Sequence, residues 1–206
     1  MTDTLGGYTY LFEKRDGPRT LLLLHGTGGN ERDMLPLGEE LDQRAHIVSV
    51  RGNVTENGMN RYFKRISEGV FDRDDLQKRS RELAEFVEAA AEKHGFELPQ
   101  TIGVGFSNGA NILLQLVCTQ PHLLKAALLL RPMSAALPDT ISPLGGFPVC
   151  ICSGAEDDMV PKGDSLRLDS TLRASGAVST LRTVPSGHRL TPQDVVFARE
   201  WLVTIP

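Results

Sequence analysis

The sequence predicts an α/β fold: a mostly parallel central sheet flanked by helices on both faces, with residues 1–206 forming a single domain. Three observations predict it. Short runs rich in Val, Leu and Ile alternate with helix-type segments along the chain. These runs lack a clean apolar/polar alternation, the mark of strands buried on both faces. The length, 206 residues with 40% hydrophobic content, matches one domain at roughly 100–200 residues per domain.

"YTYLF" and "TLLLLHG" read as opening strands and "HIVSV" at 46–50 as a third. Residues 51–73 then form a connection too long for a simple turn. A helix is predicted from Asp74 or Asp75, with Leu76, Leu83, Phe86, Val87 and Ala90 on one face and a stop at Gly95. "TIGVGF" reads as a strand, "NGANILLQLVC" as a helix, and "KAALLLR" and "FPVCICSG" as strands. A polar segment over 162–175 ends at Gly176, "VSTLRTV" is the last strand, and "TPQDVVFAREWL" is a closing helix. Thr191, Pro192 and Asp194 supply the start signature of that helix.

Composition excludes several classes of function. The net charge of -4 arises from interspersed charges without long blocks of one sign, which argues against nucleic acid or an anionic membrane as partner. The N-terminus lacks a basic start followed by an apolar run. The longest apolar stretches, "LLLL" and "AALLL", are too short to span a bilayer, so a cytoplasmic location is expected. Three cysteines, Cys118, Cys150 and Cys152, suggest neither a disulfide framework nor a zinc site. They are expected to be reduced core residues, with Cys150 and Cys152 on opposite faces of their strand.

The stretch "VGFSNGANI", residues 104–112, carries the chemistry. A serine hydroxyl is a weak nucleophile and needs both a base and donors for a developing oxyanion. A sharp strand-to-helix turn exposes Ser107 and points the Asn108 N–H from a helix N-terminus toward the developing charge. The crowding of such a turn explains Gly105 and Gly109. With 20 glycines in the chain, chance supplies on the order of 0.1 matches to G-x-S-x-G, so the weight comes from the strand-to-helix context.

Of five histidines, His25 and His46 precede the serine, His94 ends a helix and His122 begins a surface-like connection. His188 in "PSGHRLT" sits between the last strand and the last helix, where a base reaches back over the sheet edge. For the acid that orients it, "CICSGAEDDMVP" leaves Glu156, Asp157 and Asp158 open. The glycine-rich loop in "LLLLHGTGGNERDM" brings backbone N–H groups close to a ligand, with Thr27 N–H the best second oxyanion donor and His25 a buttress of the loop. This loop lacks the Lys-Ser/Thr ending of a P-loop and the G-x-G-x-x-G dinucleotide pattern.

The marks "LLLLHGTGGNERDMLPLGEEL", "VRGNVTENGMNRYFKR", "VGFSNGANI", "SGAEDDMVP" and "SGHRLT" run through nearly the whole chain. With them the sequence resembles the α/β-hydrolase superfamily, and more narrowly the phospholipase/carboxylesterase family, which includes bacterial carboxylesterases and relatives of acyl-protein thioesterases. The resemblance implies Ser107 as nucleophile, Asp157, three residues after Gly154, as acid, His188 as base, and Thr27 and Asn108 as backbone oxyanion donors. It further implies no cofactor, no metal and a homodimer. His25-Gly26 is followed by Thr-Gly-Gly-Asn, and Asn108 replaces the glutamine usual in acyl-protein thioesterases. Both departures bring the chain closer to a small bacterial branch carrying the "RGNV...RYFKR" segment.

A chain of this length leaves no room for a large lid domain, so connecting loops must build the pocket. In 51–73, Tyr62, Phe63 and Phe71 are mixed with Arg51, Arg61, Lys64 and Arg65, able to flank an ester with an apolar acyl part and a polar or anionic end. The alternative is that the aromatics pack the loop and the cations pair with Glu56, Glu68, Asp72 and Asp74. Candidate substrate contacts are Arg51, Phe63, Phe71, Met159, Val160 and Leu190. The expected activity is hydrolysis of small, short-to-medium carboxylic esters by an acyl-enzyme route. The rivals are a lysophospholipase or thioesterase, and a protein that binds a small ligand without turnover. A metal-dependent enzyme is disfavoured because the sequence has no clustered set of His and carboxylate ligands.

Overall fold

The computed structural model describes residues 2–67 and 69–206. It opens with β1 (Thr2–Leu5), β2 (Tyr8–Glu13) and β3 (Thr20–Leu24), followed by α1 (Leu35–Leu41) and β4 (His46–Arg51). The long connection folds into two small hairpins, β5 (Val54–Glu56) with β6 (Met59–Arg61) and β7 (Arg65–Ser67) with β8 (Val70–Phe71). Then come α2 (Arg73–His94), β9 (Thr101–Phe106), α3 (Asn108–Thr119), β10 (Ala126–Leu130), β11 (Pro148–Gly154), α4 (Asp164–Ala174), β12 (Val178–Val184) and α5 (Pro192–Val203).

Eight strands form one sheet in the order β1-β2-β4-β3-β9-β10-β11-β12. β2 is antiparallel to both neighbours, and every pairing from β4 to β12 is parallel. The parallel strands need crossovers, and the helices that supply them cover both faces. Leu22, Leu24, Val48, Val50, Val149 and Ile151 pack on one face with residues of α2, α3 and α4. Leu21, Leu23, Ile47 and Ile102 pack on the other with α1 and α5. Each such Leu, Ile or Val contributes about 1.5–3 kcal/mol relative to leaving it exposed.

The predicted helix after the long connection is α2. Asp72 caps it by accepting the Asp75 N–H, the five predicted apolar residues are buried, and it ends at left-handed Gly95. Outside the 51–73 connection, two elements were not read from the sequence: β1, whose first three residues are exposed, and α1, which is only seven residues long. The expectation for the cysteines is corrected. Residues two apart on a strand share a face. Cys150 and Cys152 therefore sit in the same apolar cluster, with sulfurs 4.0 Å apart. All three cysteines are free and buried. Among the described residues no helix is long and apolar enough to cross a membrane.

Candidate active site

The position of Ser107 is fixed by backbone packing. β9 lies inside the sheet, and its last residue, Phe106, is followed by Ser107 at φ 51 and ψ −111, a conformation that a side chain adopts only under constraint. Ser107 N–H donates to Leu130 O at 2.8 Å, and its own carbonyl accepts the Asn111 N–H as α3 begins. The flanking glycines are steric necessities. A Cβ on Gly105 would stand 2.5 Å from Gly109 O, and one on Gly109 would run into the Leu24 carbonyl.

The histidine arrives from the loop after β12. His188 Nε2 lies 2.8 Å from Ser107 Oγ, and Nδ1 lies 2.8 Å from Asp157 Oδ2. A neutral imidazole with Nδ1–H donating to the carboxylate leaves Nε2 to accept the serine proton. Asp157 is held by its own turn, since Oδ1 accepts the N–H groups of Met159 at 2.9 Å and Val160 at 3.3 Å. Its side chain is buried, whereas Glu156 and Asp158 are exposed, so geometry separates the three carboxylates that the sequence left open. The two loops meet so closely that a Cβ on Gly154 would collide with the carbonyls of Ser186 and Gly187.

Arg131, a residue the sequence reading passed over, anchors this loop. Its fully buried guanidinium pairs with both oxygens of Asp194, at 2.7 and 2.9 Å, at the start of α5. It also donates to Gly187 O, Ser186 Oγ and Arg189 O, which bracket His188. Its φ of 58 at the end of β10 is the one available signal, and it is invisible in sequence. Asp194 additionally accepts the Thr191 N–H, so the helix-start signature doubles as part of the anchor.

The 26–29 loop, with Thr27 exposed toward the cleft, is tied to the 51–73 connection. Gly28 N–H donates to Asn60 O, the Asn60 amide donates to Gly29 O, and Arg61 donates to Thr27 Oγ1. Tyr62 is the hub: its hydroxyl accepts the His25 N–H and donates to Val50 O, and its own N–H donates to Asn108 Oδ1. Burial holds the Tyr62 hydroxyl well above its ordinary pKa. His25 Nε2 accepts the Gly52 N–H while Nδ1 donates to Gly26 O, a neutral form that burial favours by lowering the pKa. It serves as the predicted buttress.

A cleft of about 320 Å³ opens beside Ser107 and His188. Of the six candidate substrate contacts, Phe71 and Met159 line it. The other four lie elsewhere. Arg51 is engaged by buried Glu31 through two hydrogen bonds at 2.6 and 2.9 Å, and Phe63 is a core residue stacked edge-on against Phe71. Val160 belongs to the Asp157 turn, and Leu190 packs against the apolar layer under α1 and α5. In their place Arg61, Arg65, Asn111 and Met133 line the cleft, brought there by the hairpins, by the first turn of α3 and by the segment after β10. Glu56 takes up both Arg61 and Arg65, whereas Glu68 lies outside the described residues. Among the described residues no group of three His, Cys, Asp or Glu side chains is arranged to hold a metal ion.

A mostly parallel sheet with a serine on a strand-to-helix turn, and a histidine delivered after the last strand, defines an α/β-hydrolase. Residues 13–205 match the family model described as Phospholipase/Carboxylesterase. MhqD of Bacillus subtilis (strain 168) is 46% identical over 192 residues, 93% of this chain and 96% of that protein. The Bacillus cereus carboxylesterase structure superposes with TM-score 0.92 at 40% identity, covering 96% of this chain and 94% of that one. YahD, solved with malic acid, superposes with TM-score 0.90 at 29% identity over 100% of both chains. The chain belongs to the phospholipase/carboxylesterase family of hydrolases.

Proposed function

We propose that the protein is a serine carboxylesterase acting on small, short-to-medium carboxylic esters. The reading rests above all on His188 bridging Ser107 Oγ and Asp157 with 2.8 Å on each side. Ser107 attacks the ester carbonyl while His188 takes its proton, and the N–H groups of Thr27 and Asn108 receive the oxyanion. His188 then returns the proton to the leaving alcohol. Water, activated by the same imidazole, clears the acyl-enzyme. Asp157 holds the imidazole tautomer and stabilises its charged form.

The cleft volume supports a small substrate. Ligand pockets run about 300–1,000 Å³, and about 320 Å³ is at the low end of that range. The malic acid accompanying YahD is a ligand of similar scale. Three free, buried cysteines fit a reducing compartment, and a cytoplasmic location is part of the proposal.

Initial rates on p-nitrophenyl esters from acetate to laurate, for wild type and Ser107→Ala, test it. The proposal expects rates that fall with acyl length and drop by on the order of 10⁶ in the variant. A maximum at long chains would replace it with the lysophospholipase or thioesterase reading. Equal rates in both proteins would end the esterase reading and leave ligand binding.

A further inference from the structure

The lining of the cleft is uneven in charge and in hydrogen-bonding capacity. Arg61 and Arg65 both line it and share one carboxylate: Glu56 Oε2 lies 3.2 Å from Arg61 Nε and 3.1 Å from Arg65 Nε. Arg61 is buried and also holds Thr27 Oγ1 and Phe63 O, so its position beside the oxyanion loop is fixed. Arg65 is only partly exposed and spends Nε on Glu56, while its two Nη groups make no hydrogen bond among the described residues. Asn111, only 4% exposed, gives Oδ1 to the Met133 N–H, and its amide nitrogen likewise has no partner among the described residues. The free Arg65 and Asn111 donors are thus set among Phe71, Met133 and Met159.

Among the described residues, two guanidiniums against one shared carboxylate leave a surplus positive charge. Burial first, and then the neighbouring Arg65, lowers the proton affinity of Arg61, with Glu56 pulling the other way. Asp158 also lines the cleft but is exposed, where water screens it, whereas the charge on buried Arg61 is screened far less. A planar carboxylate matches the free fork of a guanidinium and accepts from an amide as well.

We propose that Arg61, Arg65 and Asn111 form a carboxylate subsite, and that the substrates are small esters carrying a second carboxylate. This rests on the reading of Ser107 as the esterase nucleophile. The second carboxylate belongs either to the acyl part or to the leaving alcohol, and two pairs of esters distinguish these. The acyl arm compares mono-4-nitrophenyl glutarate with its neutral methyl ester. The alcohol arm compares 4-acetoxybenzoate with methyl 4-acetoxybenzoate.

In at least one arm kcat/KM should favour the anion by tenfold or more, the preference should shrink with added salt, and Arg65→Gln should bring the ratio to within about twofold of unity. Calorimetric titration of glutarate and 4-hydroxybenzoate into Ser107→Ala reads the subsite without turnover, and Arg65→Gln in that background should weaken the binding at least fivefold. Hydrolysis of both members of each pair at equal rates, or a preference indifferent to Arg65→Gln, overturns the subsite and leaves the esterase reading standing. Arg65-dependent binding without hydrolysis of any ester keeps the subsite and overturns the esterase. Neither binding nor preference overturns the subsite.

Discussion

Around Ser107 the main chain does the holding: an interior strand ends, a helix begins, and Gly105 and Gly109 allow backbones to approach that any side chain would separate. His188 reaches the same point from a loop, and that loop is held by a side chain, the buried guanidinium of Arg131 gripping Asp194 and the flanks of the histidine. Ser107 is therefore secured by local geometry, and His188 by a contact between residues 63 positions apart. The two arms should fail in different ways.

The largest effect is expected on the base arm. Arg131→Ala strands the Asp194 carboxylate in the interior, and removing one member of a buried pair costs about 3–5 kcal/mol. Denaturant unfolding should register that loss, with kcat falling more than KM rises. Added guanidinium ion should restore part of kcat if the clamp acts by seating His188, and full activity in the unrescued variant would break the comparison.

On the nucleophile arm, Gly105→Ala forces a methyl group to within 2.7 Å of the Ala110 backbone. We expect a loss of about 2–3 kcal/mol and of most activity. No small molecule should rescue it, because the fault lies in the backbone path; rescue would show that this arm too is held by a replaceable group.

Much of this division was legible in the sequence. The elbow, the histidine and the closing helix follow local rules, strand-to-helix hydrophobicity around G-x-S-x-G and the Thr191–Pro192–Asp194 start, and each was found where its pattern lay. Arg131 was not found because nothing in "LLLRPM" records a positive φ or a partner in the last helix. The cleft wall was read only in part for the same reason. Composition marked 51–73 as aromatic and cationic, but which arginine faces the serine depends on hairpin pairing. Val54 opposite Arg61 and Arg65 opposite Phe71 set that pairing, while Arg51, at the end of β4, is taken by Glu31. The two-residue period did place Cys150 and Cys152 on one face, and the expectation of opposite faces misapplied it.

Tyr62, which ties the 26–29 loop to Asn108, sharpens the comparison at a smaller scale. Tyr62→Phe leaves the buried His25 N–H without its acceptor, a cost of about 1–3 kcal/mol. If the oxyanion loop depends on this hub, kcat and the rate of Ser107 labelling by a small fluorophosphonate should both fall several-fold; unchanged labelling would place the damage elsewhere.

The smallest expected effect is an acid limb. His25 in the folded state has a pKa below its ordinary 6.5. The stability it contributes is complete above pH 6.5 and is lost as pH falls from there toward the lower folded-state value. His46 and His94, also lowered, act in the same direction. Thermal unfolding between about pH 7 and 5 should therefore fall more steeply for wild type than for His25→Gln, and parallel curves would remove His25 from the account.

The Arg131–Asp194 clamp also bears on the order in which a ribosome delivers the parts. Ser107 is synthesised well before His188, which lies against it, and before Asp194, which with Arg131 anchors the loop that carries the histidine. On the proposed serine mechanism, activation of Ser107 thus waits on a histidine 81 positions later in the chain, and esterase activity would report that α5 has docked.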